Sequence, residues 1–186
     1  MSLSIPRLEL AHMRADLASY LEPRVKRLGY LGEFFKCAGH APGVLLHFMH
    51  FTDALKEALP DRLTEVGALT VAGVMNNAYE RNQHERLSVR LGFGREWVAE
   101  VNRLKPAEAN LMSEPERAVQ QYAIAAVETR GQAVEAEFEA LRQQLPPSEA
   151  MAIVLLVGRY VTHALAVNTL QLKPPVPSIF EDGFNG

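Results

Sequence analysis

Three polar residues, two of them of types that suit proton transfer, lie in the stretch NAYERNQH, residues 77–84. Asn77, Glu80 and His84 are three and four positions apart, so on one helix they share a face. A carboxylate beside an imidazole orients the ring and raises its basicity, while the imidazole exchanges protons near neutral pH. The spacing therefore indicates an acid–base site. His84 would be the acid or the base, and Glu80 would orient it or share its proton.

A further candidate, Glu65, precedes Glu80 within an almost wholly apolar segment. A carboxylate in such a segment is rarely buried without a partner. On a straight helix the two carboxylates would stand roughly 22 Å apart. However, Gly73 and the Asn76-Asn77 pair are poor helix formers. We therefore predict that the chain turns back near residues 73–77 and buries Glu65 beside His84. The alternative is that Glu65 faces solvent near its helix start.

Simpler structural roles are open for the same residues. Glu80 and His84 could form an ion pair between helices, worth about 0.3–0.5 kcal/mol. Asn77 could cap the second helix rather than bind substrate. Tyr79 could pack with its hydroxyl satisfied rather than donate a hydrogen bond to a substrate oxygen.

The sequence gives little support for a metal or a cofactor. His47 and His50 share a helix face, but zinc needs at least three good protein ligands and no third is nearby. We predict pocket-lining or packing roles for both and no metal site. Because the chain has no phosphate loop, nucleotide fingerprint or nucleophile elbow, we expect no cofactor. Cys37 is the only cysteine, so no intrachain disulfide is possible, and it is expected to pack as a small buried residue.

Helices must position these residues, because no segment alternates apolar and polar residues as a strand does. We expect Glu22-Pro23 to end the first helix, and Ser113 with Glu116 matches a capping box. The predicted helices cover approximately residues 10–21, 42–59, 61–91 with a turn near 73–77, 95–104, a long stretch after 113, 134–145 and 148–172. We predict one all-α domain over residues 1–173. The Pro/Gly-rich tail, residues 174–186, is expected to be extended against another surface or partly disordered.

Two segments resemble each other, LPDRLTEVGALTVAGV at 59–74 and LPPSEAMAIVLLVGRY at 145–160. If they are repeats, the fold contains two related helical hairpins. The second copy has Met151, His163 and Ala166 where the first has its polar candidates. We therefore expect only the first copy to hold the site, and His163 to be a hydrogen-bonded core residue.

Composition narrows the classes of function. The chain has 186 residues, 48% of them hydrophobic and 22% charged, as in a soluble globular protein with a real core. A net charge of −3 argues against a nucleic-acid surface. The first residues do not read as a signal peptide, and the apolar run at 150–158 is too short to span a bilayer. We expect a cytoplasmic protein that binds neither nucleic acid nor membrane.

Residues 39–93 resemble the carboxymuconolactone decarboxylase family, which includes the alkylhydroperoxidase D proteins. The run RLTEVGALTVAGVMNNAYERNQHERLSVRLGF carries the resemblance, and GHAPGVLLHFMHF is similar to the family's lead helix. The hallmark of the peroxidase branch is an upstream glutamate, then CxxC, then a histidine four residues after the second cysteine. Glu65 and His84 match that glutamate and histidine. Asn77 and Glu80 occupy the two cysteine positions.

The resemblance implies an alkylhydroperoxidase D-like helical bundle that assembles into homo-oligomers and acts on a small molecule. Peroxide reduction needs a thiolate and a resolving thiol, so the missing cysteines disfavour it. Glu80 instead resembles non-redox members, whose chemistry on lactones or carboxylic acids uses acid–base groups. We expect a cofactor-independent lyase or decarboxylase-like enzyme, with Glu65, Glu80 and His84 catalytic and with Asn77 and Tyr79 binding substrate. A peroxidase-like antioxidant protein and a non-catalytic oligomeric binding protein are the alternatives.

Overall fold

Helices make up the regular secondary structure of residues 5–181, the part of the chain that the computed structural model describes. Two short 3-10 turns accompany them, and no strand occurs in this part. The all-α prediction is confirmed. The helices are α1 (Ala15–Leu28), α2 (Glu33–Ala38), α3 (Pro42–Ala58), α4 (Asp61–Val74), α5 (Ala78–Arg90), α6 (Arg95–Asn102), α7 (Glu114–Glu128), α8 (Glu135–Gln144) and α9 (Pro147–Thr169).

Helix α4 lies at the centre of the larger apolar core and packs against α5, α7 and α9. Its side chains Val66 and Leu69 are fully buried, as is Ile153 of α9. Gly67 allows α9 to approach closely, because a methyl group at this position would lie 2.7 Å from Leu156 Cδ2. The close contact of α4 with α9 brings the inward faces of the two helices together.

A second apolar cluster joins α1, α2 and α3 to α5 and α9. It contains Leu17, Phe34, Met49, Tyr79 and Val167. Together these helices enclose the site described below.

The predicted turn between the first two site helices is confirmed. Helix α4 ends at Val74 and α5 begins at Ala78. Asn76 adopts a left-handed conformation, with φ of 51°, which asparagine tolerates better than most residues. Asn77 then caps α5, since its side-chain oxygen accepts a hydrogen bond from the Glu80 N–H at 3.2 Å.

The predicted end of the first helix at Glu22-Pro23 is wrong. Helix α1 continues through Pro23 to Leu28. Pro23 and Ser19, the residue four positions earlier, are both exposed. The Ser19 carbonyl, which loses its donor, can therefore bond to water, while the fully buried Leu17 and Leu21 anchor the helix.

The predicted second hairpin is also wrong, because α9 continues as one helix of 23 residues. The first copy breaks at Gly73 and Asn76, whereas the second has Arg159 and Thr162 at the corresponding positions. Neither of these residues stops a helix as glycine and asparagine do. By length and composition α9 could cross a membrane, but 56% of its apolar window is buried inside the protein. Residues such as Ile153 and Leu156 pack in the core, but the helix extends beyond residues 150–158 and is long enough to span a bilayer, so the argument that this run is too short does not hold.

The described part of the tail packs against the chain itself. Ile179 is fully buried, and its N–H donates to Glu85 Oε2 at 3.1 Å. The Ser178 hydroxyl donates to the same oxygen at 2.5 Å. The tail is therefore held on the outer face of α5. Residues 182–186, where the predicted tail ends, lie outside the described residues.

Candidate active site

The imidazole of His84 lies between two carboxylates. Its Nδ1 is 2.8 Å from Glu65 Oε2, and its Nε2 is 3.5 Å from Glu80 Oε2. The Ser88 hydroxyl donates to the same Glu65 oxygen at 3.1 Å. All four residues are buried. The α4–α5 turn thus brings Glu65 beside His84 as predicted, and the alternative of a solvent-facing Glu65 is excluded.

Helix α9 adds three side chains that the sequence analysis did not assign to the site. Arg159 Nη1 donates to Glu80 Oε1 at 3.2 Å, and the Tyr160 hydroxyl lies 3.2 Å from His84 Nε2. His163 Nδ1 lies 3.1 Å from Glu80 Oε1. The expectation that only the first copy holds the polar site is therefore wrong. Arg159 and His163 are four positions apart in an otherwise apolar helix, and this spacing was the available signal.

The other expectation for His163, a hydrogen-bonded core residue, is wrong as well. His163 is buried, but its Nδ1 makes no well-aligned hydrogen bond within residues 5–181. The ring packs against Phe34, with the ring centroids 4.2 Å apart. His163 therefore presents a buried nitrogen whose hydrogen-bonding capacity is unused.

Arg159 is held in place from several sides. Its Nε donates to Thr52 Oγ1 at 3.0 Å, and the Thr52 hydroxyl donates to the Phe48 carbonyl at 2.8 Å. The guanidinium carbon also lies 5.0 Å from the Phe48 ring centroid and 4.3 Å from that of Tyr160. A fixed cation thus faces Glu80, which a buried carboxylate requires.

These contacts determine where the protons reside. Burial disfavours the imidazolium form of His84, but attraction and hydrogen bonding from Glu65, and then from Glu80, prevail and raise its pKa to about 9. Burial also favours neutral Glu80, but His163, His84 and Arg159 hold the pKa of this carboxyl well below its usual range. Burial lowers the pKa of His163 to about 4, so His163 is neutral at pH 7. The ionisation of Glu80 there depends on His84 and Arg159.

At neutral pH the site therefore contains an imidazolium ion next to an ionised carboxylate. Of the two roles left open for His84, this state favours proton donation. The structural alternative was a surface or interhelix ion pair of Glu80 with His84, whereas the two side chains are buried and lie on one helix. It does not account for the second carboxylate, the tyrosine hydroxyl and the cavity that adjoin the same ring.

A cavity of about 90 Å³ opens beside His84 and Glu80. Tyr79, Tyr160 and His163 line it together with side chains of α1, α2 and α3. The Tyr79 hydroxyl accepts a hydrogen bond from the Phe34 N–H at 3.2 Å, so its oxygen is partly satisfied.

Asn77 does not line the cavity. Its oxygen caps α5 instead, which confirms the capping alternative. Its contribution to the site is to start the helix that carries Glu80 and His84. A direct contact with substrate has no support from this position.

The remaining candidates lie away from the cavity. Cys37 is buried in the second apolar cluster, where burial raises the pKa of its thiol. His47 and His50 are exposed on α3 and do not line a pocket with the site residues. Among the described residues, no group of three or more His, Cys, Asp or Glu side chains is arranged to hold a metal ion.

No protein-family model matches the sequence, and no curated protein matches it. Solved structures do match. The apo debrominase Bmp8 has a TM-score of 0.81 at 15% identity, covering 95% of this chain and 94% of that one. An alkylhydroperoxidase AhpD core protein from Ralstonia eutropha JMP134 has a TM-score of 0.80 at 20% identity, covering 96% and 92%. A peroxidase-related protein from Silicibacter sp. TM1040 has a TM-score of 0.77 at 15% identity, covering 100% and 97%.

At these identities the likeness establishes the fold. The chain is an alkylhydroperoxidase D-like helical bundle, as the resemblance implied. Because one fold hosts many chemistries, the reaction must be argued from the site.

Proposed function

We propose that this protein is a cofactor-independent, carboxymuconolactone decarboxylase-like lyase that performs acid–base chemistry on a small organic acid or lactone. The proposal rests mainly on the His84 imidazole. It is buried between the Glu65 and Glu80 carboxylates and lines a cavity. A strongly perturbed titratable group with specific charge partners in a cleft is a marker of functional sites. The alkylhydroperoxidase D-like fold is compatible with an enzyme, since a debrominase has it too, while the acid–base step is argued from the site residues alone.

In the proposed step, His84 donates its Nε2 proton to the substrate atom at which negative charge develops. In a decarboxylation, that atom is the carbon that keeps the electron pair of the C–C bond as CO₂ departs. In a lactone opening, water adds to the carbonyl carbon and releases its proton to solvent, the ring C–O bond breaks, and the ring oxygen that leaves takes the proton from His84. The Nδ1–H remains hydrogen-bonded to the Glu65 carboxylate, and this contact fixes both the orientation of the ring and its tautomer. The neutral imidazole then takes a proton from solvent, and this restores the resting state.

Tyr160 and Arg159 contribute to this step through their contacts with His84 and Glu80. Burial raises the pKa of Tyr160, so its hydroxyl keeps its proton and can interact with His84 Nε2 or with a substrate oxygen. Arg159 keeps Glu80 ionised beside the imidazolium. Tyr79, which lines the cavity, is the proposed substrate hydrogen-bond donor.

The experiment is a proton NMR screen of small acids and lactones in D₂O at pH 7. It records loss of substrate and incorporation of deuterium at carbon. We expect turnover of at least one compound, reduced in His84→Gln by about 10²- to 10⁴-fold, the usual contribution of a general acid. His47→Gln, at an exposed histidine outside the cavity, is the matched control and should keep full activity. Undiminished turnover in His84→Gln would refute the role of the imidazole.

The peroxidase alternative has a direct test of its own. Peroxide consumption with a dithiol reductant should be absent, because the only thiol is buried and its pKa is raised. Consumption that disappears in Cys37→Ser would reverse this ranking. An absence of turnover in both assays would favour the non-catalytic binding protein.

We also propose that the protein is a homo-oligomer. On α9 the exposed positions Met151, Leu155, Gly158, Thr162 and Leu165 recur every three or four residues, as in a helix-packing seam. Three of the five are large apolar residues left uncovered by the rest of the chain. Sedimentation velocity should show an oligomer that Leu155→Glu dissociates. A monomeric unsubstituted protein would refute this proposal.

A further inference from the structure

The cavity carries an excess of positive side chains. Arg24 and Arg27 of α1, Lys56 of α3, Arg90 of α5 and Arg159 of α9 line it. The only carboxylate in its lining is Glu80. The protein as a whole has a net charge of −3, so the excess is a property of this cavity and not of the general surface.

Within the described residues, four of these five cations form no ion pair. Arg159 binds Glu80, but the other four form no salt bridge within residues 5–181. The nearby carboxylates are otherwise engaged: Asp53 accepts from the Tyr20 hydroxyl, and Glu65 binds His84. Natural proteins seldom collect unpaired cations in a partly buried cleft, because each repels the others and loses hydration.

Arg24 and Lys56 show this crowding most clearly. Both are partly buried. Burial, followed by repulsion from Arg24, lowers the pKa of Lys56. Burial, with repulsion from Arg27 and Arg159, likewise lowers the pKa of Arg24. An anion between the two side chains would relieve both the repulsion and the missing hydration.

The unused nitrogen of His163 is a second, independent sign of a ligand. The residue is 4% exposed and lines the cavity. Its Nδ1 lies 3.1 Å from Glu80 Oε1 but makes no well-aligned hydrogen bond among the described residues. Buried polar atoms without partners are uncommon in native proteins and often indicate a missing ligand or water. Leu28, Phe34 and Leu87 supply apolar wall beside it.

The size of the cavity limits what can enter. An engineered cavity of about 150 Å³ holds benzene, so about 90 Å³ accommodates a smaller group, on the order of three to five non-hydrogen atoms. Larger substrates would leave part of their structure outside the opening. The dimensions therefore suit a small acid or the functional end of a longer one.

We propose that Arg24 and Lys56 form a carboxylate-binding subsite, so that the substrate of the proposed reaction is a carboxylate anion and not a neutral lactone or a peroxide. This subsite rests on the proposed function, which places the reacting atom of the substrate at His84 of α5. An arginine fork and a lysine on one side match the two oxygens of a carboxylate.

The test is binding of simple probes by isothermal titration calorimetry or NMR at pH 7 and fixed ionic strength. The probes are acetate, propionate and succinate, with acetamide as a neutral counterpart and inorganic phosphate as a competing anion. We expect carboxylates to bind at least about tenfold more tightly than acetamide, and Arg24→Met or Lys56→Met to remove about tenfold, since hydrogen bonds to charged groups have this strength. Lys26→Met, on the same helix as Arg24 but exposed and paired with Glu22, is the matched control.

Three results would overturn the subsite: acetamide binding as well as acetate, equal carboxylate affinity in Lys56→Met, or tighter binding of phosphate with the same dependence on Lys56. Circular dichroism checks that each variant folds. Lys56→Arg keeps the charge and should retain carboxylate binding, which separates a charge effect from a packing effect.

The subsite and the reaction fail in different ways. Carboxylate binding that depends on Lys56, without turnover of any acid, would uphold the subsite and reject the proposed function. Turnover of a neutral lactone that needs His84 but is unchanged in Lys56→Met would uphold the function and reject the subsite. His84→Gln should still bind acetate, since the imidazole is not part of the subsite.

Discussion

The raised pKa of His84 leads to a quantitative prediction about stability. A group with a higher pKa in the folded protein stabilises it fully below the unfolded pKa, and this contribution is lost as the pH rises through the folded value. For His84 these two values are 6.5 and about 9. At about 1.4 kcal/mol per pH unit, deprotonation of His84 should lower the free energy of unfolding by on the order of 3 kcal/mol between pH 6.5 and 9.5.

The assay is urea denaturation of the unsubstituted protein and of His84→Gln at pH 6.5, 7.5, 8.5 and 9.5. Trp97 is the only tryptophan and is buried, so its fluorescence reports global unfolding. Glutamine retains hydrogen-bonding capacity but does not titrate. Because Lys56 and other groups also respond to pH, the quantity of interest is the difference between the two proteins. That difference should shrink by on the order of 3 kcal/mol across the series.

Parallel stability profiles for the two proteins would refute the reasoning. They would mean that His84 is not held as an imidazolium ion between Glu65 and Glu80 at neutral pH. The proposed proton donor would then have no proton to give, although the geometry would be unchanged. Direct NMR titration of the His84 ring would locate the actual pKa.

Three further variants test the packing around the site, each by urea denaturation. Arg159→Met removes the arginine partner of the buried Glu80 carboxylate and should lower the free energy of unfolding by about 3–5 kcal/mol, while Lys105→Met, at an exposed ion pair with Glu108, should change it by less than about 1 kcal/mol. Pro23→Ala restores a helical N–H and should raise stability by up to about 3 kcal/mol; a decrease would show that α1 needs the proline. Ile179→Ala removes a fully buried side chain and should cost about 2–5 kcal/mol; an unaltered midpoint would mean that the tail does not pack on α5.

The parts of the site that the sequence predicted are local along the chain. Gly73 and Asn76 are poor helix formers within an apolar pattern, and this was enough to place the turn that joins Glu65 to His84. The capping box of Ser113 and Glu116 was equally local and is confirmed. Such features depend on the conformational preferences of a few neighbouring residues, which spacing alone expresses.

The parts that escaped prediction depend on contacts between distant segments. Arg159 meets Glu80 from 79 positions along the chain, and no periodicity encodes that pairing. Pro23 was misjudged for a similar reason, since burial of Leu17 and Leu21 holds α1 together despite the lost hydrogen bond. The cation cluster could not be foreseen either, because α1, α3, α5 and α9 each contribute only one or two members.

The division of the site between α5 and α9 also affects the order of events during synthesis. On the ribosome, α4 and α5 emerge many residues before α9, so the hairpin carrying Glu80 and His84 forms without Arg159. An isolated hairpin would keep its carboxylates in water, because burying Glu80 without a cation is costly. Glu80 and His84 become buried beside Arg159 only when α9 packs against α4, where Gly67 leaves room for it. Packing of α9 therefore completes the hydrophobic core and the candidate site in the same folding step. A chain that has not reached this step would hold Glu80 and His84 in a hydrated arrangement without Arg159.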